Sequence, residues 1–242
     1  FSLATSPSLI DIDEIDGGNG NDTITGTSDN DSIRGNNGND TLFGGDGNDT
    51  FLVSGSGDGL DTIHGGNGTD TWLGSSGNDY FYVSGTSSNL QNLNSIEVIN
   101  GGTNGYDRIV GSSGADTIDF SLATSPSLID IDEIDGGSGN DTITVSNALA
   151  TNYRGSAGND IFVVTTSSAQ STILDFDDSG NDVIDLSDFG LTFAQIQALS
   201  IAEGADVRID LTSAAGSEGA GTGDIILVGT TLASLDSSDF IV

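Results

Sequence analysis

The sequence predicts an all-β fold, a solenoid in which short parallel strands stack coil upon coil. Three observations predict it. Residues 17–52 repeat every nine residues, and each repeat places glycine and polar residues before a short strand-like triplet. The middle residue of each triplet is apolar, at Ile24, Ile33, Leu42 and Phe51. Neither a helix nor an alternating strand has a period of nine, whereas a coil that makes half a turn every nine residues does.

The residue types of one repeat explain its shape. Glycines at the first, second and fourth positions allow a tight bend with positive φ, which a side chain would obstruct. The middle residue of the triplet points inward and its polar neighbours point outward. Stacked coils then place Ile24 over Leu42 and Ile33 over Phe51, which gives a thin continuous core.

Aspartate recurs at the sixth position of each repeat, at Asp22, Asp31, Asp40 and Asp49. Stacked coils bring these carboxylates into rows, where they repel one another unless a cation lies between them. The chain has no lysine and only four arginines, so the cation comes from outside. Carboxylates together with bent backbone carbonyls form an oxygen-only ligand set, which suits a hard cation, Ca²⁺ best.

The pattern Gly-Gly-x-Gly-x-Asp-x-apolar-x, as in residues 44–52, resembles the RTX nonapeptide repeat. The resemblance implies a right-handed parallel β-roll, a β-helix solenoid with Ca²⁺ in its turns and a small β-rich C-terminal cap. Multiple calcium ions then lie between loops two repeats apart, which pairs Asp22 with Asp40 and Asp31 with Asp49. An acidic, glycine-rich disordered linker is the alternative; the strict apolar phasing argues against it, although it stays open for the chain without calcium.

The resemblance also assigns ligands along the chain. The carboxylates assigned to calcium are Asp22, Asp31, Asp40, Asp49, Asp61, Asp70, Asp79, Asp107, Asp116, Asp141, Asp160 and Asp182. The loop residues assigned to the same sites are Gly17, Asn19, Gly35, Asn37, Gly44, Asp46, Gly65, Asn67, Gly136 and Ser138.

Composition narrows the function. The net charge of −33 argues against nucleic acid and anionic membranes as partners. About ten bound Ca²⁺ ions would leave roughly −13, a value compatible with solubility. The chain has no cysteine, so calcium takes the place of disulfides, and no apolar run is long enough for membrane insertion. It begins at Phe1 without methionine or a signal peptide, and we interpret it as the C-terminal part of something longer or as a processed product.

A longer repeat overlies the nonapeptides. Residues 1–25 recur at 120–144 with a single difference, Asn19 against Ser138, and Arg34 matches Arg154. A coil precedes the second copy but not the first, so we expect an uncapped end on the solenoid. The predicted segments are a first β-roll block at 1–82, a second block with irregular coils at 83–170, and a capping and secretion-signal segment at 171–242.

The later repeats are less regular. We expect Asp70 beside Asp49 across an expanded coil, and Asp116, Asp141 and Asp160 on one edge, with the opposite edge there lacking ligands. Fewer ions are therefore expected in the second half. Residues 9–15, 93–99 and 128–134 are interpreted as coils without calcium ligands, whose acidic residues form a solvated face.

The C-terminal part departs from the repeat. Residues 175–180 imitate the start of an EF-hand loop, but position twelve is Leu186 rather than glutamate, so that motif is rejected. The segment resembles the one that follows the repeats in serralysin-type proteins. A short helix is predicted over 192–199 and strands over 207–211 and 224–228. Residues 239–242, Asp-Phe-Ile-Val, resemble the uncleaved signal of type I secretion substrates.

These observations predict an extracellular or cell-surface calcium-binding structural module that folds after type I secretion. Its partners are calcium ions, the secretion machinery and possible head-to-tail copies of itself, as in an adhesin, an S-layer or a filament. No catalytic motif is present, so the chain is not expected to be an enzyme. The alternative is the tail of an extracellular protease, lipase or polysaccharide-modifying enzyme whose catalytic domain lies upstream.

Overall fold

In the computed structural model the chain is nearly all β, as the sequence predicts. The structure describes residues 14–53, 55–85, 93–120, 126–145, 152–165, 170–176, 181–213 and 223–242. The strands begin with β1 (Ile15–Asn19), β2 (Thr23–Thr25), β3 (Ser32–Asn37), β4 (Thr41–Asp46), β5 (Thr50–Leu52), β6 (Thr62–Asn67), β7 (Thr71–Leu73), β8 (Tyr80–Tyr82), β9 (Leu93–Asn94), β10 (Val98–Asn100) and β11 (Arg108–Val110). They continue with β12 (Thr117–Ile118), β13 (Ser127–Ile129), β14 (Glu133–Asp135), β15 (Thr142–Val145), β16 (Asn152–Arg154), β17 (Ile161–Val164), β18 (Ser171–Ile173), β19 (Val183–Asp185), β20 (Ser200–Glu203), β21 (Asp206–Ile209), β22 (Ile225–Leu227) and β23 (Phe240–Ile241).

Two compact units are present. The first comprises residues 1–110 and 124–132, and the second comprises 111–123 and 133–242. In the first unit one parallel sheet has the order β1-β3-β5-β7-β10-β13, another has the order β2-β4-β6-β9, and β8 pairs with β11. Successive strands of the chain thus alternate between sheets, which is the stacking predicted for a parallel solenoid. The predicted segment boundaries after residues 82 and 170 stay predictions.

The core of the first unit consists of the inward residues of the triplets. Ile24 pairs with Leu42, and Ile33 pairs with Phe51, as predicted. All four side chains are buried. Because only one residue of each triplet faces inward, the core consists of two columns of apolar side chains, one from each sheet.

The coils widen after β5. The sequence separation between paired residues of neighbouring strands is 18 in the first coils. It grows to 21 between Thr50 and Thr71 and to 27 between Thr71 and Val98. The widest of these coils carries an additional strand, β8. The indole of Trp72 meets the ring of Phe81 edge to face at 5.0 Å and helps fill the larger interior.

The second unit continues the same architecture and ends in a different one. One parallel sheet has the order β12-β15-β17-β19-β23, and another contains β14, β16, β18 and β22, followed by β21 and β20 in antiparallel pairing. The predicted helix forms as α1 (Phe193–Leu199), after a capping box between Thr192 and Gln195. Two 3-10 helices, Ser187–Phe189 and Leu211–Ser213, accompany it. None of the helices that the structure describes combines the length and apolar character needed to cross a membrane.

The longer repeat is visible as a repeated ion pair, one in each unit. The Nε of Arg34 lies 2.7 Å from an oxygen of Glu14, and the Nε of Arg154 lies 3.1 Å from an oxygen of Glu133. These residues are equivalent in the two copies of the sequence. Each of the two similar stretches, 1–25 and 120–144, is therefore joined to the coil that follows it by the same ion pair.

Candidate metal centre

The loops between strands bend through left-handed residues. In the repeat that begins at Gly44, Gly45 has φ of 122° and Gly47 has φ of 115°, a backbone conformation that L side chains rarely adopt. These are the second and fourth positions of the nonapeptide. The bend turns the loop carbonyl groups toward the interior of the turn, where cations with oxygen ligands can bind.

The sixth-position aspartates form carboxylate lines, in which each aspartate binds the next coil. The backbone N–H of Asp22 donates to Oδ1 of Asp40 at 2.7 Å, and the N–H of Asp40 donates to Oδ1 of Asp61 at 2.9 Å. The same contact recurs in the other lines. In the first unit these join Asp31 to Asp49 and Asp70, and Asp79 to Asp107. In the second unit they join Asp116 to Asp141, Asp160 and Asp182.

The lines agree with the predicted neighbours. Asp22 lies with Asp40, Asp31 lies with Asp49, and Asp70 lies beyond Asp49 as expected for an expanded coil. Asp116, Asp141 and Asp160 share one edge, again as predicted. The predicted carboxylates are therefore brought together in rows, in order along the chain.

The second carboxylate oxygen of most of these aspartates faces the first glycine of its own repeat, and Asp61, whose repeat begins at Gly55, is an exception. A Cβ on Gly17 would lie 3.1 Å from Oδ2 of Asp22 and 2.9 Å from the carbonyl oxygen of Gly35, one coil further on. A Cβ on Gly136 would likewise lie 2.6 Å from Oδ2 of Asp141 and 3.0 Å from the carbonyl oxygen of Gly155. The first glycine thus keeps open a small space that faces two oxygen acceptors.

In the repeats of Asp31, Asp79 and Asp116 the backbone N–H of the second residue donates to this oxygen at 2.5 to 2.6 Å, whereas in other repeats that the structure describes no donor reaches it. Buried Oδ2 atoms without a hydrogen-bond partner belong to Asp22, Asp40, Asp49, Asp70 and Asp141. A buried acceptor without a donor costs free energy, and more so when it is charged. A Ca²⁺ ion bound by Oδ2 and by the neighbouring carbonyl oxygens would satisfy these atoms. The residues present therefore fit calcium.

The same fit explains why side chains alone do not reveal the sites. No group of three or more metal-ligating side chains occurs among the described residues. Each loop instead offers one carboxylate oxygen and backbone carbonyls, a ligand set that is usual for Ca²⁺.

The predicted third-position residues bind one another across coils. Nδ2 of Asn37 donates to Oδ1 of Asn19 at 2.8 Å, and Nδ2 of Asn67 donates to Oδ1 of Asp46 at 2.7 Å. Ser138 makes a backbone bridge to Ala157 instead. The side chains at this position thus hold neighbouring loops together.

Sequence reasoning missed a second set of cross-coil contacts, made by asparagine at the fifth position. Each such asparagine accepts a hydrogen bond through Oδ1 from a backbone N–H of the next coil, at 2.8 to 3.2 Å. The acceptors are Asn21, Asn30, Asn39, Asn48, Asn78, Asn140 and Asn159. These amide lines run opposite in direction to the carboxylate lines, because here the earlier coil supplies the acceptor. The signal was visible in the sequence as the recurring Asn-Asp pair.

The irregular coils correct one expectation. Their acidic residues were predicted to form a solvated face without a role in the loops. In the first unit, however, Glu97 accepts the N–H of Asp70 at 2.7 Å, and Asp132 accepts the N–H of Asp107 at 2.8 Å. In the second unit Glu133 is fully buried against Arg154. Residues 9–13 lie outside the described residues.

Burial shifts the titration of these carboxylates. It raises the pKa of Asp49 to about 6, the pKa of Asp141 to about 7 and the pKa of Asp61 to about 8. The hydrogen bond from the preceding coil lowers each pKa, and the neighbouring carboxylates of the line raise it again. Burial likewise raises the pKa of Asp40, Asp70 and Asp107. Without a cation the folded protein therefore disfavours the charged form of these groups.

Comparison with models of protein families identifies the repeats. The RTX calcium-binding nonapeptide repeat matches in four copies, at residues 16–51, 56–82, 101–122 and 129–146. The matched stretches contain the regular loops described above. A search of curated proteins found no match.

Proposed function

Because the repeat region of this chain belongs to the RTX calcium-binding nonapeptide family, we propose that the protein is an extracellular structural module that folds when calcium binds after type I secretion. Such repeats mark calcium-binding modules of secreted proteins. The observation that carries the proposal is the set of buried Oδ2 atoms without donors, each beside the first glycine of a loop. These atoms are costly in the folded protein without a cation and become ligands with one.

Coupled folding follows from this arrangement. Where calcium is scarce, the acidic repeats repel one another and the chain stays unfolded, a state suited to passage through a narrow channel. Outside the cell, calcium neutralises the carboxylate lines, and its binding free energy stabilises the folded state. We propose that residues 239–242 are read by the secretion machinery at the C-terminal end of the unfolded chain.

Calcium removal tests the coupling. Adding EGTA to the calcium-loaded protein should abolish the β signal in far-ultraviolet circular dichroism, and returning calcium should restore it. Magnesium at the same concentration is the control, because it demands a smaller octahedral site and should restore the signal poorly. A β signal that persists unchanged in EGTA would contradict coupled folding.

We further propose that the module belongs to a repetitive surface protein and is not itself catalytic. The near-identity of residues 1–25 and 120–144, with the same ion pair after each, supports a repetitive parent. Cross-coil hydrogen bonds and calcium binding in the loops explain why carboxylates occur in close pairs, so these pairs need no catalytic role. Stacked coils leave strand edges only at their ends, which favours head-to-tail association over lateral pairing. Electron microscopy of calcium-loaded protein should show filaments or layers, whereas monodisperse monomers would count against assembly.

A further inference from the structure

We propose that the irregular coil at residues 93–97 carries a calcium site of its own, with Glu97 as its carboxylate ligand. Ser95 and Glu97 lie outside the stretches that match the nonapeptide family, which end at residue 82 and resume at 101, whereas Asp70 lies inside the second stretch. The site deepens the proposed function, since it rests on calcium binding by the loops. Its ligands come from Asp70 in one coil and from Ser95 and Glu97 in the next.

The contact geometry at this coil reproduces that of a regular loop. At Gly17, an added Cβ would meet Oδ2 of the aspartate of its own repeat and the carbonyl oxygen of the glycine one coil further on. At Gly65 an added Cβ would meet Oδ2 of Asp70 and the carbonyl oxygen of Ser95. Ser95 therefore occupies the place of the missing glycine and offers the same backbone ligand.

The backbone of Ser95 is unusual in a way that serves this role. Its φ is 55°, in the left-handed region that residues other than glycine, asparagine and aspartate rarely adopt. Asp130, the equivalent residue of the other irregular coil in this unit, has φ of 51° and directs its carbonyl oxygen at the Cβ position of Gly101. Two loops without the nonapeptide pattern thus adopt the same strained conformation and present the same carbonyl group.

A buried oxygen without a donor points into the proposed site. Asp70 is fully buried, and its Oδ2 has no hydrogen-bond partner. Its backbone N–H donates to Oε2 of Glu97 at 2.7 Å, as the N–H of a regular aspartate donates to the next aspartate of its line. Glu97 therefore continues the carboxylate line from Asp31 through Asp49 and Asp70.

The amide line of the same loops stops where the carboxylate line continues. The N–H of Thr69 still donates to Oδ1 of Asn48, but threonine has no amide to offer the next coil. If the irregular coil needed only to stack on its neighbour, hydrogen bonds from either the amide line or the carboxylate line would be enough. The carboxylate is retained at this coil, and the carbonyl oxygen of Ser95 and Oδ2 of Asp70 both lie beside the Cβ position of Gly65, an arrangement that suits a cation and that stacking alone does not require.

The test compares Glu97→Gln with Asp188→Asn in the full chain. Glutamine keeps an oxygen that can accept the N–H of Asp70, so the fold should be retained while the charge is lost. Asp188 is exposed and lies in a 3-10 helix outside the repeats, so its change controls for net charge. Native mass spectrometry in calcium should count one ion fewer for E97Q than for the wild type, and no change for D188N.

Terbium gives a second, local measurement. Trp72 is the single tryptophan, it follows Asp70 by two residues, and it pairs with Ile99, which follows Glu97 by two. Terbium bound at the proposed site should be sensitised by this indole. E97Q should therefore lose part of the tryptophan-excited terbium emission, and D188N should lose none.

The outcomes separate this inference from the proposed function. If the wild type binds no calcium, both fail; if it binds calcium and E97Q binds as many ions with unchanged terbium emission, only this site is overturned. Should E97Q not reach the wild-type β signal in calcium, Glu97→Asp decides instead. A calcium midpoint for folding of E97D raised on the order of threefold or more supports the site, and an unchanged midpoint overturns it.

Discussion

Replacing Asp49 with asparagine should change stability in opposite directions with and without calcium. Asparagine keeps the Oδ1 that accepts the N–H of Asp31 but removes the charge from the buried carboxylate. Without calcium the change removes an unfavourable buried charge, so the folded state gains stability. With calcium the same change removes a ligand, so the folded state loses stability.

The magnitudes follow from the site. Burial raises the pKa of Asp49 from 3.8 to about 6, and each pKa unit corresponds to about 1.4 kcal/mol between the two protonation states. Allowing for solvent screening, Asp49→Asn should stabilise the calcium-free folded protein by on the order of 1–2 kcal/mol near neutral pH. With calcium at about 100 times its dissociation constant, loss of the ion should cost about 2.7 kcal/mol.

Two titrations followed by circular dichroism measure these effects. In EGTA, folding is driven by an excluded osmolyte such as trimethylamine N-oxide, and D49N should fold at a lower osmolyte concentration than the wild type. In the calcium titration D49N should fold at a higher calcium concentration. Asp29→Asn is the matched control, since its side chain is exposed and lies in the neighbouring repeat; both of its midpoints should stay within about 0.5 kcal/mol of wild type. Shifts of D49N in the same direction in both titrations would refute the assignment of two opposed roles to this carboxylate.

Two further predictions concern the loops and pH. Gly44→Ala places a Cβ against Oδ2 of Asp49 and the carbonyl oxygen of Gly65, so it should raise the calcium midpoint for folding and lower the number of bound ions. Gly77→Ala is the control and should change neither quantity, because the nearest atom to its Cβ would lie at 3.7 Å. Equal effects of the two alanines would contradict the loop site. In EGTA with osmolyte, the folded protein should be most stable below about pH 4 and should lose stability as the pH rises to about 8. Burial raises the pKa of Asp49, Asp141 and Asp61, so the folded state binds protons more tightly than the unfolded state. Stability that rises over this range in EGTA would show that the carboxylates are not buried as described.

The regular part of the fold was predictable because its period is short and strict. A single apolar residue in each triplet determines which side chain faces inward, so Ile24 over Leu42 and Ile33 over Phe51 follow from counting. The rows of aspartates follow from the same count. Asp70 beside Asp49 was also predictable, because an expanded loop still has to return its triplet to the stack.

The wider coils were harder to predict, because loop length does not determine where a strand rejoins a sheet. The step from Thr71 to Val98 leaves room for β8, which pairs with β11 rather than with either neighbouring sheet of the first unit. The nine-residue count predicts the triplet at 80–82 but does not indicate that it pairs with β11. The interior that it encloses is filled by the buried side chains of Trp72 and Phe81.

The role of Glu97 was missed for a different reason. In a regular repeat the aspartate follows the first glycine by five positions, as Asp70 follows Gly65, whereas Glu97 follows Ser95 by two. The shorter spacing works because a left-handed Ser95 turns its carbonyl group inward at once. A pattern search based on glycine cannot find a loop in which serine stands in the place of the first glycine.

The two kinds of line give the proposed coupling between metal binding and folding a physical basis. Amide lines join coils through neutral groups, so they stabilise stacking in any ionic conditions. Carboxylate lines make hydrogen bonds of the same geometry, with Oδ1 of Asp40 accepting the N–H of Asp22, but at Asp22, Asp40 and other members they leave the second carboxylate oxygen buried beside a loop without a donor. The hydrogen bonds that set the coil spacing therefore also bring the charged oxygens into the loops. A fold that gains stacking from Oδ1 has to neutralise Oδ2 in the same step, so under the proposed function the cation would act on the folding equilibrium itself rather than on a preformed site.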